Sequence, residues 1–106
     1  MYIAKVGLYQ LENLKRQRVV FHCFDLSPER VAGLEVIEDR TMVSHENLLL
    51  HIQSHGLTPQ APIILVDEDG SKSELAARNL EENSYINVFV VEGGTRALLE
   101  ELKDEK

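Results

Sequence analysis

The part of the chain that most constrains the fold is Ile63–Ser73, where a short apolar run leads through a tight loop into a helical pattern. The four apolar residues Ile63–Val66 predict a buried parallel strand. Ser71 and Glu74 have the spacing of a capping box, which predicts that a helix begins there. A strand, a tight loop and a helix N-terminus together form an anion-binding cradle, because unpaired backbone N–H groups and the helix dipole converge.

The residues of this loop do not suit the chemistry that such a cradle usually serves. A thiolate or hydroxyl is normally needed at the first loop position, and here that position is Asp67, followed by Glu68 and Asp69. The local scaffold is therefore typical of an enzyme, whereas its nucleophile is missing.

The rest of the chain alternates short apolar runs with amphipathic stretches. This pattern predicts one α/β domain over residues 1–106, with a central, mostly parallel sheet of about five strands and helices on both faces. In such sheets the binding crevice lies beyond the carboxyl ends of the strands, which is where the loop falls. Strands are expected at 2–6, 18–24, 41–43, 63–66 and 85–91, and helices at 9–17, 28–32, 44–54, 71–82 and 95–102.

Composition narrows the classes of partner. The formal net charge of −7 disfavours nucleic acid and anionic membrane surfaces, both of which attract basic patches. No signal peptide and no bilayer-spanning apolar run are expected. The single cysteine, Cys23, excludes an internal disulfide and a cysteine-based zinc site. These features predict a cytoplasmic protein.

The C-terminal run Pro62–Leu102 resembles a rhodanese-like domain. In that family the loop begins with the catalytic cysteine and reads roughly C-x-x-G-x-R-S. Here Asp67 stands at the cysteine, Gly70 matches the glycine, Lys72 replaces the arginine and Ser73 matches the small hydroxyl residue. A later E-G-G-T turn also matches, whereas the N-terminal half of the chain matches poorly.

The resemblance implies sulfurtransferase chemistry, in which a cysteine thiolate carries sulfur as a persulfide. A carboxylate cannot form a persulfide, and the arsenate reductases and phosphatases related to this fold use the same cysteine. Catalysis of the family type is therefore not expected, and no catalytic residue is assigned. An alternative is a sulfurtransferase-type or phosphatase-type enzyme that uses Asp67 as an atypical nucleophile.

Two metal-dependent alternatives also start from this loop. The D-x-D-G-S sequence resembles the first motif of haloacid-dehalogenase-like phosphotransferases, but only 36 residues follow Gly70 and they contain no matching acidic pair. A helix–loop–helix calcium site needs glycine at the sixth loop position, and here glycine is fourth. No metal and no cofactor are predicted.

Other reactive side chains receive structural interpretations. Cys23 lies in an apolar strand and is expected to behave as a small buried hydrophobe. His51 and His55 have a spacing that zinc tolerates, with His45 nearby, but His55 is interpreted as a histidine at the edge of the core.

The predicted function is a non-catalytic binding or regulatory module. It would bind a protein partner or a small ligand, and a protein partner would have a basic surface if the acidic residues give the crevice a negative face. A purely structural or oligomerisation role is a further alternative. Gly70 would permit the tight loop, and Lys72 would partly offset the acids. The oligomeric state is left open. The predicted binding residues are Asp67, Glu68, Asp69, Gly70, Ser71, Lys72 and Ser73.

Overall fold

A single parallel sheet forms the centre of the computed structural model, which describes residues 3–104. The predicted α/β architecture is confirmed, and within the described residues all five strands are parallel. The strands are β1 (Ala4–Val6), β2 (His22–Asp25), β3 (Thr41–Met42), β4 (Ile63–Val66) and β5 (Val88–Val91). The helices are α1 (Leu8–Arg16), α2 (Leu48–Ser54), α3 (Ser71–Glu82) and α4 (Gly94–Asp104), with a short 3-10 helix at Glu35–Ile37.

The strands lie in the order β1-β5-β4-β2-β3, so that β4 is central and β3 is at one edge. All four residues of β4 are buried, as expected for a strand covered on both faces. In the β2–β4 register, Asp25 is opposite Val66, so the two strands end at the same level. The residues that follow them therefore meet at the carboxyl edge of the sheet.

Helices cover the sheet on both faces, and each face has its own hydrophobic cluster. One cluster packs α2 and α3 against Phe24, Ile63 and Leu65. The other packs α1, α4 and the 3-10 helix against Ile64 and Val66. Alternate residues of β4 thus serve opposite layers, which follows from the two-residue period of a strand. No helix of the described residues has the length and apolarity to cross a bilayer.

Strand β4 and helix α3 have the bounds predicted from sequence, whereas two other predicted helices differ. Residues 28–32 form bends and no helix. Helix α2 begins only at Leu48, because Ser44 starts a separate turn in which its carbonyl accepts the N–H of Asn47 at 3.0 Å.

Strand β2 begins later than predicted because α1 ends in a Schellman turn. The N–H of Val19 donates to the carbonyl of Leu14 at 2.9 Å, and the N–H of Arg18 donates to the carbonyl of Lys15 at 3.0 Å. Arg18 has φ 57°, the left-handed conformation that glycine usually supplies at this position. Residues 18–21 therefore belong to the connection between α1 and β2.

A buried ion pair holds the long connection between β2 and β3. Asp25 and Arg40 are both fully buried, and Arg40 Nε donates to Asp25 Oδ2 at 2.8 Å. The other guanidinium nitrogens donate to the carbonyls of Ile37 at 3.0 Å and Val31 at 2.7 Å. The remaining carboxylate oxygen, Asp25 Oδ1, accepts the N–H of Ser27 at 2.9 Å. These contacts explain why residues 28–32 form no helix, since tertiary hydrogen bonds override a modest local propensity.

Removing one partner of this pair should destabilise the protein strongly. We expect Arg40→Ala to lower the free energy of unfolding by about 3–5 kcal/mol, because a carboxylate is left buried without its cation. Urea denaturation followed by circular dichroism measures the loss. Lys5→Ala is the control, since its exposed pair with Glu74 at 3.3 Å should contribute under about 1 kcal/mol. Equal losses in the two variants would contradict the prediction.

Candidate functional site

The loop between β4 and α3 lies at the carboxyl edge of the sheet, as the sequence predicted. Its first residue, Asp67, is only 1% exposed. The carboxylate therefore points into the protein and contributes little to the surface charge of the crevice.

The Asp67 carboxylate is held by donors from its own loop and from the first turn of α3. Its Oδ1 accepts the N–H of Gly70 at 2.9 Å and the hydroxyl of Ser73 at 2.7 Å. Its Oδ2 accepts the N–H of Lys72 at 3.1 Å. The anion cradle expected at this loop is therefore present, and the side chain of Asp67 fills it.

Asp69 caps the helix from the other side of the loop. Its Oδ1 accepts both the N–H of Ser71 at 3.0 Å and the Ser71 hydroxyl at 2.8 Å. The hydrogen bond from the Ser71 N–H, followed by that from its hydroxyl, holds the pKa of Asp69 below its usual value. The predicted capping box of Ser71 and Glu74 is wrong, because α3 has Gly70 as its N-cap and its free N–H groups bond to the preceding carboxylates.

Two glycines give the loop its shape. Gly70 has φ 98°, a left-handed conformation that glycine adopts without steric penalty, and the turn into α3 requires it. A Cβ atom on Gly94 would collide with the carbonyl oxygen of Asp67. Behind the loop, α4 donates the N–H of Thr95 to that oxygen at 2.8 Å and the N–H of Arg96 to the carbonyl of Glu68 at 3.2 Å. The start of α4 therefore fixes the loop from behind.

The predicted binding residues separate into an inner and an outer group. Asp67, Gly70 and Ser73 are buried, whereas the others face outward. Of the outer group, Glu68 lies 3.9 Å from the guanidinium of Arg96 in an exposed pair. The exposed residues of the loop are Glu68, Asp69, Ser71 and Lys72.

A crevice of about 390 Å³ lies beside the outer residues of the loop. Lys72 lines it from α3, and Met42 lines it from the end of β3. Ser27 also lines it, and the Ser27 hydroxyl is buried with no hydrogen-bond partner among residues 3–104. The complete lining is Leu26, Ser27, Pro28, Met42, Val43, Ser44, His45, Glu46 and Lys72. Sequence reasoning missed most of this wall, because it comes from irregular segments after β2 and β3.

Cys23 lies apart from the loop. It pairs with Ile64 in the sheet, three residues before Asp67 along the neighbouring strand, and it is 8% exposed. Burial raises the pKa of the Cys23 thiol to about 12, with a further upward contribution from Asp25 and an opposing one from Arg40. The thiol is therefore protonated at neutral pH and is a poor nucleophile.

The histidines of α2 do not form a metal site with other residues of the described chain. The rings of His51 and His55 stack with centroids 4.1 Å apart, and His55 Nδ1 lies 2.9 Å from the His51 carbonyl oxygen. His51 packs edge-on against Phe24, whereas His55 is exposed. His51 therefore lies at the edge of the core, the position that the sequence predicted for His55.

No protein-family model matches the chain, and no curated protein matches it. Solved structures do match. A rhodanese homolog from the extremely thermophilic bacterium Thermus thermophilus is 31% identical with a TM-score of 0.66, over 89% of this chain and 99% of that chain. A rhodanese-like domain protein from Staphylococcus aureus is 18% identical with a TM-score of 0.74, over 91% of each chain.

A further match is the thiosulfate sulfurtransferase from Pseudomonas aeruginosa, at 18% identity and a TM-score of 0.75. The alignment covers 93% of this chain but 19% of that larger protein. The two more distant structures share the fold, and the Thermus homolog shares sequence as well over nearly its whole length. This chain therefore belongs to the rhodanese-like domain family.

Proposed function

We propose that this protein is a catalytically inactive rhodanese-like module that binds a protein partner at the loop Asp67–Ser73 and the adjoining crevice. One observation supports this more than any other: the carboxylate of Asp67 occupies the cradle formed by the loop amides. A substrate anion would have to displace a covalently attached anion that is already bound.

In this proposal, the protein also lacks a nucleophile for sulfur transfer. The reaction needs a thiolate within reach of the loop donors, because sulfur is carried as a persulfide. The sequence resemblance implies that Asp67 stands at the loop position where the family has its cysteine. The thiol of Cys23 is buried and protonated, so it does not take over this role.

The alternative enzyme, with Asp67 as a nucleophile in phosphate chemistry, has less support. Attack needs a carboxylate oxygen that is exposed to the incoming phosphorus. Both oxygens of Asp67 accept hydrogen bonds from the chain itself, and the residue is 1% exposed. An activity assay distinguishes the two proposals.

The binding surface on this proposal consists of the exposed acids of the loop and the crevice beside them. Glu68 and Asp69 face outward, and Glu46 lines the crevice. Lys72 and Arg96 offset part of this charge. A partner segment with basic residues fits the exposed carboxylates, and salt should weaken its binding.

Emptying the cradle should create an anion site. In Asp67→Ala the two loop amides and the Ser73 hydroxyl lose their acceptor, so we expect a loss of about 1–3 kcal/mol in the free energy of unfolding. Sulfate or thiosulfate should then bind in the cradle. Millimolar additions should shift the amide resonances of Gly70 and Lys72 and raise Tm more than in the wild type.

The wild-type protein is the control for general salt effects. Equal amide shifts in wild type and variant would contradict the filled cradle. The proposal also fails if wild-type protein transfers sulfur from thiosulfate to cyanide, or hydrolyses an aryl phosphate with magnesium, and Asp67→Asn abolishes that activity. Asp67→Asn suits this test because it retains the volume of the side chain.

Cys23 should be unreactive in the folded protein. Since burial raises its pKa to about 12, the thiolate population is negligible below about pH 10. Labelling by iodoacetamide at pH 8, followed by mass spectrometry, should be slow in buffer and fast in 6 M guanidinium. Rapid stoichiometric labelling of the native protein would contradict this prediction and make Cys23 a candidate nucleophile.

Neutralising the exposed loop acids should weaken binding of a basic probe. We expect a tetra-arginine peptide in low-salt buffer to shift amide resonances of residues 67–72, and the variant Glu68→Gln/Asp69→Asn to lose most of that response. The matched control is Glu82→Gln/Glu101→Gln, which removes two exposed acids elsewhere. If both double variants lose the response equally, the loop is not the binding surface.

A further inference from the structure

A second surface lies at the amino edge of the sheet, opposite the loop. Its centre is the connection between α1 and β2, where Val19 is 42% exposed and Val20 is 77% exposed. An apolar groove of about 410 Å³ lies on one side of this connection. Ile86, next in the chain to the groove residue Asn87, is 74% exposed. The groove is lined by Val6, Gln10, Asn13, Leu14, Val19, Phe21, Pro62, Ile64, Asn87 and Phe89.

A second depression of about 310 Å³ lies beside this groove and shares Val19 and Phe21 with it. Lys15 and Arg18 line this depression. Asp39 also lines it, together with Arg40, which is already paired with Asp25. The two depressions thus form one apolar surface with a basic side.

The basic side is unusual in a chain with a formal net charge of −7. Lys15, Arg16 and Arg18 fall within four residues, all three are exposed, and none forms an ion pair within the described part of the chain. Lys15 donates to the Glu35 carbonyl at 3.0 Å, and Arg16 to Asn13 Oδ1 at 3.0 Å. The side chain of Arg18 has no hydrogen-bond partner among residues 3–104.

The backbone at Arg18 adds an independent indication. All of α1, α2 and α3 end with a left-handed residue, and at α2 that residue is Gly56, for which the conformation carries no steric penalty. At α1 the chain places an arginine there, with φ 57°. A strained residue whose side chain forms no hydrogen bond and no ion pair within residues 3–104 points to a role outside the fold. Ser84, with φ 73° at the end of α3, provides an internal comparison.

The backbone of this connection also has free hydrogen-bonding groups. The N–H groups of Val20 and Phe21 donate to no acceptor in the described chain. Strand β3 pairs only with Phe24 and Asp25, so this earlier part of the β2 edge is uncovered. An extended segment can pair with such an edge by strand addition.

We propose that this surface, formed by Leu14, Lys15, Arg18, Val19, Val20 and Phe21, docks an extended segment of a partner protein that carries apolar side chains flanked by carboxylates. An apolar side chain of the segment fills the groove, and its carboxylates pair with Lys15 and Arg18. Because the chain is negative overall, most of its surface repels an acidic segment. The basic residues of this surface therefore favour docking here and set the orientation of the partner.

The test uses a set of six-residue peptides with Leu, Phe, Ile or Trp in the two middle positions and Glu in the other four. We expect at least one peptide to shift the amide resonances of residues 19–22 at low salt. Arg18→Gly should weaken its affinity at least about tenfold, and added salt should do the same. Arg18→Gly should nevertheless leave Tm unchanged or raise it by a few degrees, because glycine relieves the left-handed strain.

Ser84→Gly is the matched control, since it makes the same backbone change at the end of α3. It should have a similar effect on Tm and no effect on peptide affinity. A parallel set with Lys in place of Glu should not bind. The proposal is overturned if no acidic peptide shifts residues 19–22, if Arg18→Gly binds like wild type, or if the Lys peptides bind equally well.

Two other occupants of the surface would also overturn the proposal. Sedimentation that shows self-association reversed by Val20→Asp would assign the surface to a second copy of the chain. Binding to vesicles of phosphatidylserine and phosphatidylcholine that Arg18→Gly abolishes, with no peptide binding, would assign it to a membrane. The loop plays no part in these experiments, so their outcome is separate from that of the proposed function.

Discussion

The hydrogen bonds between the carboxylate of Asp67 and the amides around it hold the conformation of the loop. A short loop between a buried strand and a helix N-terminus leaves several N–H groups without intrahelical partners, and these groups must find an acceptor. In this protein the acceptor is covalently part of the loop, at 2.9 Å from the N–H of Gly70 and 3.1 Å from that of Lys72. The amides of Gly70 and Lys72 thereby have an acceptor within the loop, and the first residue of the loop stabilises its shape.

The loop therefore has a buried side and a side that faces the solvent. Asp67 and Ser73 hydrogen-bond to each other in the interior, whereas Glu68 and Asp69 face the solvent. Gly94 allows the backbone of α4 to approach the loop from behind. The chemistry available at the surface is thus that of exposed acids and a neighbouring crevice. At the amino edge of the sheet, the surface that contains Arg18 is basic, whereas the loop is acidic.

The sequence predicted the elements whose signals are local. A continuous apolar run identifies β4, and a regular amphipathic pattern identifies α3, so both were predicted with correct bounds. The loop was also located correctly. The inward direction of the Asp67 side chain could not be predicted, because it depends on the amides of Gly70 and Lys72 and on contacts from α4, 28 residues later in the chain. The late start of β2 escaped prediction because arginine gives no signal for a left-handed helix end.

The pair of Asp25 and Arg40 has a consequence for the motions of the chain. Residues 27–40 contain little regular structure, yet one guanidinium binds their carbonyls at Val31 and Ile37 and ties them to the end of β2. Fraying of this segment residue by residue is disfavoured, because the contacts at Asp25, Val31 and Ile37 all depend on the same side chain. It should open as one cooperative unit, and its amide protons should exchange with a common opening free energy. Ser27 belongs to this unit, so each opening event would also dismantle one wall of the crevice.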